Sequence, residues 1–174
     1  MKFIMWIVAL LMLSLANAWS YTSTQTLDDG DNLIIHAGTR RIPAPRAEEK
    51  QVGFSDAKVS SNGRLVGWLA LQPTCCTSYP IPLSLIIFEN GKVIQRFYEG
   101  QAIWAWSFEK HNSAVAYRHS VTHGPIMEEY KLRSIGDGKL LDEFDCSDFE
   151  TEESSKKNPR LVPVWIRSIR GTCP

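Results

Sequence analysis

Few side chains in this chain are spaced as chemistry would need them. His119 and His123 stand four residues apart, with Glu128 and Glu129 close behind. On a helix that spacing would place two imidazoles on one face, the arrangement a divalent metal uses. Here the segment reads as a strand running into the loop Thr122-His123-Gly124-Pro125, which destroys the helical geometry. His119, His123 and Glu128 are therefore the metal candidates, and the sequence favours a packed His119 and no metal. Glu128 and Glu129 point to opposite faces of a strand, so they do not form an acid–base pair. Cys75 and Cys76 are adjacent and could act as a redox pair or supply a nucleophile, but neither a histidine nor a helix start flanks them. Gly53-Phe-Ser55-Asp-Ala57 lacks the second glycine of a nucleophile elbow, and no phosphate-binding glycine loop is present. The expectation is no catalytic residue and no cofactor.

The aromatics offer a second kind of chemistry. Trp68, Trp104 and Trp106, with Phe108 and Tyr117, could stack a sugar ring or an extended peptide. The plainer expectation is that they fill the space between two sheets.

The elements that hold these residues begin with the N-terminus. Lys2 precedes an uncharged run, Phe3 to Leu15, followed by Ala16-Asn17-Ala18. A basic start, an apolar stretch and a small-x-small triplet make a secretory signal peptide, and the run falls short of the ~20 apolar residues a membrane span requires. Removal of 1–18 leaves 156 residues of net charge −1, expected to be secreted or periplasmic with no stable membrane insertion. The whole chain balances 19 basic against 19 acidic groups, which gives no polybasic field for nucleic acid.

Four cysteines remain, Cys75, Cys76, Cys146 and Cys173. An even count in an exported chain favours disulfides. A vicinal Cys75–Cys76 bridge and long-range pairing to Cys146 and Cys173 are both open. The long-range pairing is preferred because closing a long loop removes more unfolded-state entropy.

From Val52 onward, short apolar or alternating runs are punctuated by Asn-Gly and Asp-Gly, which is strand and hairpin patterning. Ala57–Leu71 (AKVSSNGRLVGWLAL) aligns with Trp106–Ser120 (WSFEKHNSAVAYRHS), and Leu83–Phe97 (LSLIIFENGKVIQRF) with Tyr130–Phe144 (YKLRSIGDGKLLDEF). Each copy spells four strands. These phrases resemble the blades of TolB-like and WD-type β-propellers, over residues 53–145. That resemblance implies an all-β protein with two four-stranded antiparallel sheets, packed as a sandwich or as an incomplete propeller. It implies an interaction scaffold and carries no catalytic residue.

The expected organisation is a signal peptide (1–18), an N-terminal segment and linker (19–52), a two-repeat β domain (53–98 and 103–145), and an acidic loop with a C-terminal strand (146–174). Leu33–His36 and Val162–Ile166 are candidate added strands, the latter limited by Pro163; Arg41–Lys50 reads as a linker. Leu65–Leu71 is apolar on both faces, as in a strand covered twice. Trp104, Trp106 and Phe108 are expected on one face, and Glu129, Lys131 and Arg133 turned outward to solvent.

The functional expectation is an exported non-catalytic interaction module that holds a protein partner or self-associates through sheet edges. The alternatives are an exported metal- or thiol-dependent enzyme, or a carbohydrate- or envelope-binding module using the tryptophans.

Overall fold

The computed structural model describes residues 19–74, 77–122, 128–145 and 163–169. The expected signal peptide, all four cysteines, His123 and the expected acidic loop from Cys146 onward lie outside the described residues.

Alternation and turn chemistry dictate strands almost throughout. β1 (Ser23–Leu27), β2 (Asn32–Ala37) and β3 (Arg40–Pro43) form a three-stranded antiparallel sheet. β4 (Gly53–Val59), β5 (Leu65–Gln72), β6 (Ile81–Glu89) and β7 (Lys92–Tyr98) form a second sheet in the order β4-β5-β6-β7. β8 (Ala102–Glu109), β9 (Ala114–Ser120), β10 (Glu129–Ser134) and β11 (Leu140–Asp145) form the third, in the same meander order. The fold is all-β and antiparallel, and the two aligned sequence copies become the second and third sheets. Asn90-Gly91 closes the β6–β7 hairpin with φ of 48° and 81°, the left-handed pair that a two-residue turn matching the strand twist demands.

The sheets stack face to face, and strand parity decides which residues meet. Val66, Trp68 and Ala70 of β5, with Ile86 and Phe88 of β6, pack against Tyr21, Leu33 and Ile35 beside and within the first sheet. The opposite face of the same strands, Leu65, Leu69, Leu85 and Ile87, packs against Ile103, Trp106, Val115 and Tyr117 of the third sheet. β5 is thus covered on both sides, which is why its sequence is apolar on both faces. On the far face of the third sheet, Ala114, Ala116, Tyr130, Leu132 and Phe144 are covered by Ile166 and Ile169.

Three expectations change. The N-terminal segment supplies a whole sheet of its own, the first, and Arg41-Ile42-Pro43 of the expected linker is paired in β3. Pro43 is accommodated because β3 is an edge strand, where one missing N–H costs no ladder bond. Of the expected strand at 162–166, Val162 lies outside the described residues, and 164–166 instead open a 3-10 helix, Val164–Ile169. Ile166 and Ile169 are three residues apart, which in a helix of three residues per turn puts both on one side. Alanines at 114 and 116 leave the shallow floor they fill.

The third correction concerns the tryptophans. β8 carries a bulge between Ile103 and Ala105, so Ile103 pairs with His119 while Ala105 pairs with Arg118. The extra residue, Trp104, shifts the alternation. Ile103, Trp106 and Phe108 face the second sheet, and Trp104 is turned to the far side.

Trp106 is the main tie between the second and third sheets. It is fully buried, and its Nε1 donates to the Asp56 carbonyl at 2.9 Å. Asp56 sits in a bulge of β4 with φ of 45°, which presents that oxygen. The indole packs against Gly67: a Cβ there would stand 2.4 Å from the Trp106 ring, so only glycine leaves the slot open. Lys58 lies 4.9 Å from the ring centroid and donates to the Trp106 carbonyl.

Candidate functional site

β9 and β10 carry polar side chains on both faces of the third sheet, and the two groups have different surroundings. Tyr117 pairs with Lys131, His119 with Glu129, and Val115 with Arg133, all on the face toward the second sheet. Arg118 and Tyr130, paired to each other, lie on the far face.

Toward the second sheet, Glu99 in the β7–β8 connection enters between the strands. Lys131 Nζ donates to its Oε2 at 2.8 Å and Arg133 lies 3.1 Å from its Oε1. The Tyr117 hydroxyl donates to the same Oε1 and accepts from Arg133 Nε at 2.8 Å. Burial pushes the Glu99 carboxyl upward, but hydrogen bonds from Lys131 and Tyr117 and the two neighbouring cations outweigh it and hold it below its ordinary value. Burial, then the Glu99 bond and charge, push the Tyr117 phenol far up, so it remains a donor. Lys131 and Arg133, expected outward, are mostly covered because the second sheet and Glu99 close over them.

His119 is 2% exposed, and its Nδ1 lies 3.0 Å from Gln101 Oε1. Nε2 is 3.5 Å from Glu129 Oε2, close enough for an ion pair, yet it makes no hydrogen bond. Burial first, then Lys131, push the His119 pKa down, so the ring is neutral at neutral pH; Glu129 and Glu99 oppose this, and Arg133 adds to it. The group is internally compensated, two carboxylates against two cations, and it is packed.

On the far face, Arg118 pairs with Glu128, whose other oxygen accepts from the Tyr130 hydroxyl at 2.8 Å. Burial, with the Glu128 bond and charge, raises the Tyr130 pKa far above its ordinary value. Trp104 Nε1 donates to Ser120 Oγ at 2.8 Å. Trp104, Arg118, Ser120 and Glu128, together with Val121 and Thr122, line a cleft of about 320 Å³. The 3-10 helix covers one end of this face, and the cleft opens at the other.

The sequence candidates are therefore dispersed. Trp68 lies between the first and second sheets, Trp106 between the second and third, and Trp104 at the far-face cleft, so they form no common platform. His119 and Glu128 stand on opposite faces of the third sheet and cannot share a ligand. Among the described residues no three of His, Cys, Asp and Glu are grouped to hold a metal, and no helix there is long and apolar enough to cross a membrane.

Sequence reasoning missed Arg118 and Ser120 as partners of Trp104, and Glu99 as the partner of Lys131 and Arg133. Strand parity alone puts Arg118 and Ser120 on one face. A bulge at Trp104 leaves no comparable mark in the sequence. Compared with family models and with curated proteins, the chain finds no match in either.

Proposed function

We propose that this chain is exported, is processed after Ala18, and acts as a non-catalytic interaction module that binds at the open end of the third sheet. The observation that carries this reading is the contrast in state between the polar groups. The Glu99–Tyr117–His119 group is packed and internally compensated, whereas the Trp104–Arg118 group lines a cleft that reaches the surface. A preformed aromatic wall with fixed polar neighbours is what a recognition site requires. Export is supported by the signal-like N-terminus and by Trp19, the first residue after the expected cleavage point. Its ring packs on Gly91 and Tyr21, and its backbone nitrogen lies 3.2 Å from Asn90 Oδ1.

Two measurements test the reading. Native mass spectrometry of protein expressed with its own N-terminus should show a mass starting at Trp19, lighter than the reduced form by the hydrogens of two bridges. A photo-crosslinking residue at Val121, in the exporting cell, should form a specific adduct that the same probe at Arg41 does not. An unprocessed chain would overturn export, and no adduct at Val121 would overturn the binding face.

Self-association is a second reading, favoured by β11. Among the described residues it is an edge strand whose Leu140 and Leu141 are 43% and 45% exposed, and an edge strand that exposes two leucines invites pairing. Sedimentation velocity separates the two: a dimer abolished by Leu141→Lys would favour β11.

A further inference from the structure

The chemistry of the Trp104 cleft narrows what it can hold. Its one cation and its one anion, Arg118 and Glu128, are already paired. A carboxylate or phosphate entering there would compete with Glu128 for the guanidinium while facing Glu128's own charge. An ammonium would compete with Arg118 in the same way. The cleft therefore selects against net charge of either sign.

What it offers a neutral ligand is specific. Arg118 lines the cleft with its side chain 19% exposed, so part of the guanidinium paired to Glu128 faces the opening. Ser120, whose Oγ accepts from Trp104 and lies 3.5 Å from the Val121 carbonyl, and Thr122 lie along the same lining. Trp104 supplies an indole wall, and the bond to Ser120 fixes its orientation in advance, which lowers the ordering cost of binding. The β8 bulge is what delivers this ring to the far face, in keeping with the use of bulges to re-aim side chains near sites. At about 320 Å³ the space is at the small end of ligand sites, which start near about 300 Å³.

A saccharide combines these requirements. The C–H face of a pyranose is weakly positive and lies against the negative face of an indole, while its rim of hydroxyls both donates and accepts. We propose that the Trp104 cleft binds a neutral saccharide, one ring stacked on the indole and its hydroxyls bonded to Arg118, Ser120 and Thr122. This rests on the interaction-module reading and names the ligand of that same face.

The test titrates the exported, processed protein with methyl glycosides of glucose, galactose, mannose and N-acetylglucosamine and with their disaccharides. Binding is followed by saturation-transfer NMR. Glucuronate and a capped neutral tripeptide are run beside them. At least one neutral glycoside should bind saturably and more tightly than glucuronate. Trp104→Ala and Arg118→Met should each weaken it about ten-fold or more, Trp104→Phe should weaken it less, and Trp165→Phe should leave it unchanged. If Trp104→Ala fails to fold, Trp104→Phe and Ser120→Ala carry the comparison.

No binding by any glycoside overturns the proposal, as does binding that ignores the Trp104 and Arg118 variants, or tighter binding of glucuronate or the tripeptide. A Val121 crosslink to a protein together with a silent glycoside panel would remove the saccharide and keep the module. Silence in both experiments would remove both.

Discussion

The two faces of the third sheet are built from the same strands and differ in one respect, what lies above them. Tyr117, Lys131 and Arg133 face a four-stranded sheet and Glu99, so their charges are matched and covered. Arg118 and Tyr130, one residue out of phase, lie on the face where a short helix packs over the alanine floor, and Arg118 lines the cleft on that face. Ionisable residues alone do not mark a site in this fold. The covering layer decides whether a cluster becomes a structural tie or a surface for recognition. That predicts large stability effects and no binding effects on the covered face, and the reverse on the open one.

The covered face should break most severely at Trp106. Trp106→Ala removes a fully buried indole, leaves the cavity over Gly67, and strands the Asp56 carbonyl. The expected loss is about 3–5 kcal/mol, the usual cost of a large aromatic core truncation, read from urea unfolding. A loss under about 1 kcal/mol would mean that the second and third sheets are not held by this contact.

Next is the carboxylate between two cations. Glu99→Gln leaves Lys131 and Arg133 facing each other without compensation. Breaking a buried pair costs about 3–5 kcal/mol. Because Arg133 is a quarter exposed, solvent screens part of that cost and about 2–3 kcal/mol is expected. The paired change Glu99→Gln with Lys131→Met should recover part of the loss, since it restores the balance of charge. A double variant no better than the single one would show that the ion pairs are incidental.

The same face makes a pH prediction. His119 is held neutral below its ordinary value of 6.5, so on acidification the unfolded chain takes up a proton that the folded one refuses. Stability should therefore fall as pH drops through about 6.5 and level off below the folded pKa. Glu99 acts in a separate window: its contribution is complete above 4.5 and is lost as pH falls through its lowered folded value. His119→Gln should flatten the upper window and leave the lower one. Lys131, Arg133, Glu129 and Glu99 all face the ring, so the upper window should also shift when Lys131 is neutralised. An unchanged upper slope in His119→Gln would assign that window to another group.

Period-two alternation sets how much of this architecture is legible in the amino-acid sequence. The run Leu65–Leu71 in β5 is apolar on both parities, and that pattern by itself announces two covered faces. Asn90-Gly91 announces its hairpin because few other pairs accept two left-handed residues. Alternation says which residues share a face but not what lies opposite. For that reason Lys131 and Arg133 read as solvent-facing although a sheet covers them. It also fails wherever a bulge adds a residue, so simple parity groups Trp104 with Trp106 although the two rings lie on opposite faces. The 164–166 segment departs from its strand-like reading for a third cause: its Val, Trp and Ile suit a strand by composition. A three-residue spacing of two isoleucines over Ala114 and Ala116 is the stronger constraint.

The smallest stability effect is expected on the open face, and it isolates what that face does. Trp104→Ala removes a half-buried indole and its bond to Ser120, but the ring already borders the cleft and leaves no sealed cavity behind. Only part of the transfer energy of burial is forfeited, so the loss should be about 1 kcal/mol, well below the cost at Trp106 although the two residues are the same type and two positions apart. Thermal unfolding of the two variants side by side reads the difference directly. If Trp104→Ala proves as damaging as Trp106→Ala, the indole is a core element and the far face is no more open than the near one. If it is nearly silent in unfolding and abolishes binding, the bulge in β8 is the feature that separates the two roles, since it alone puts one tryptophan in the core and the other at the cleft.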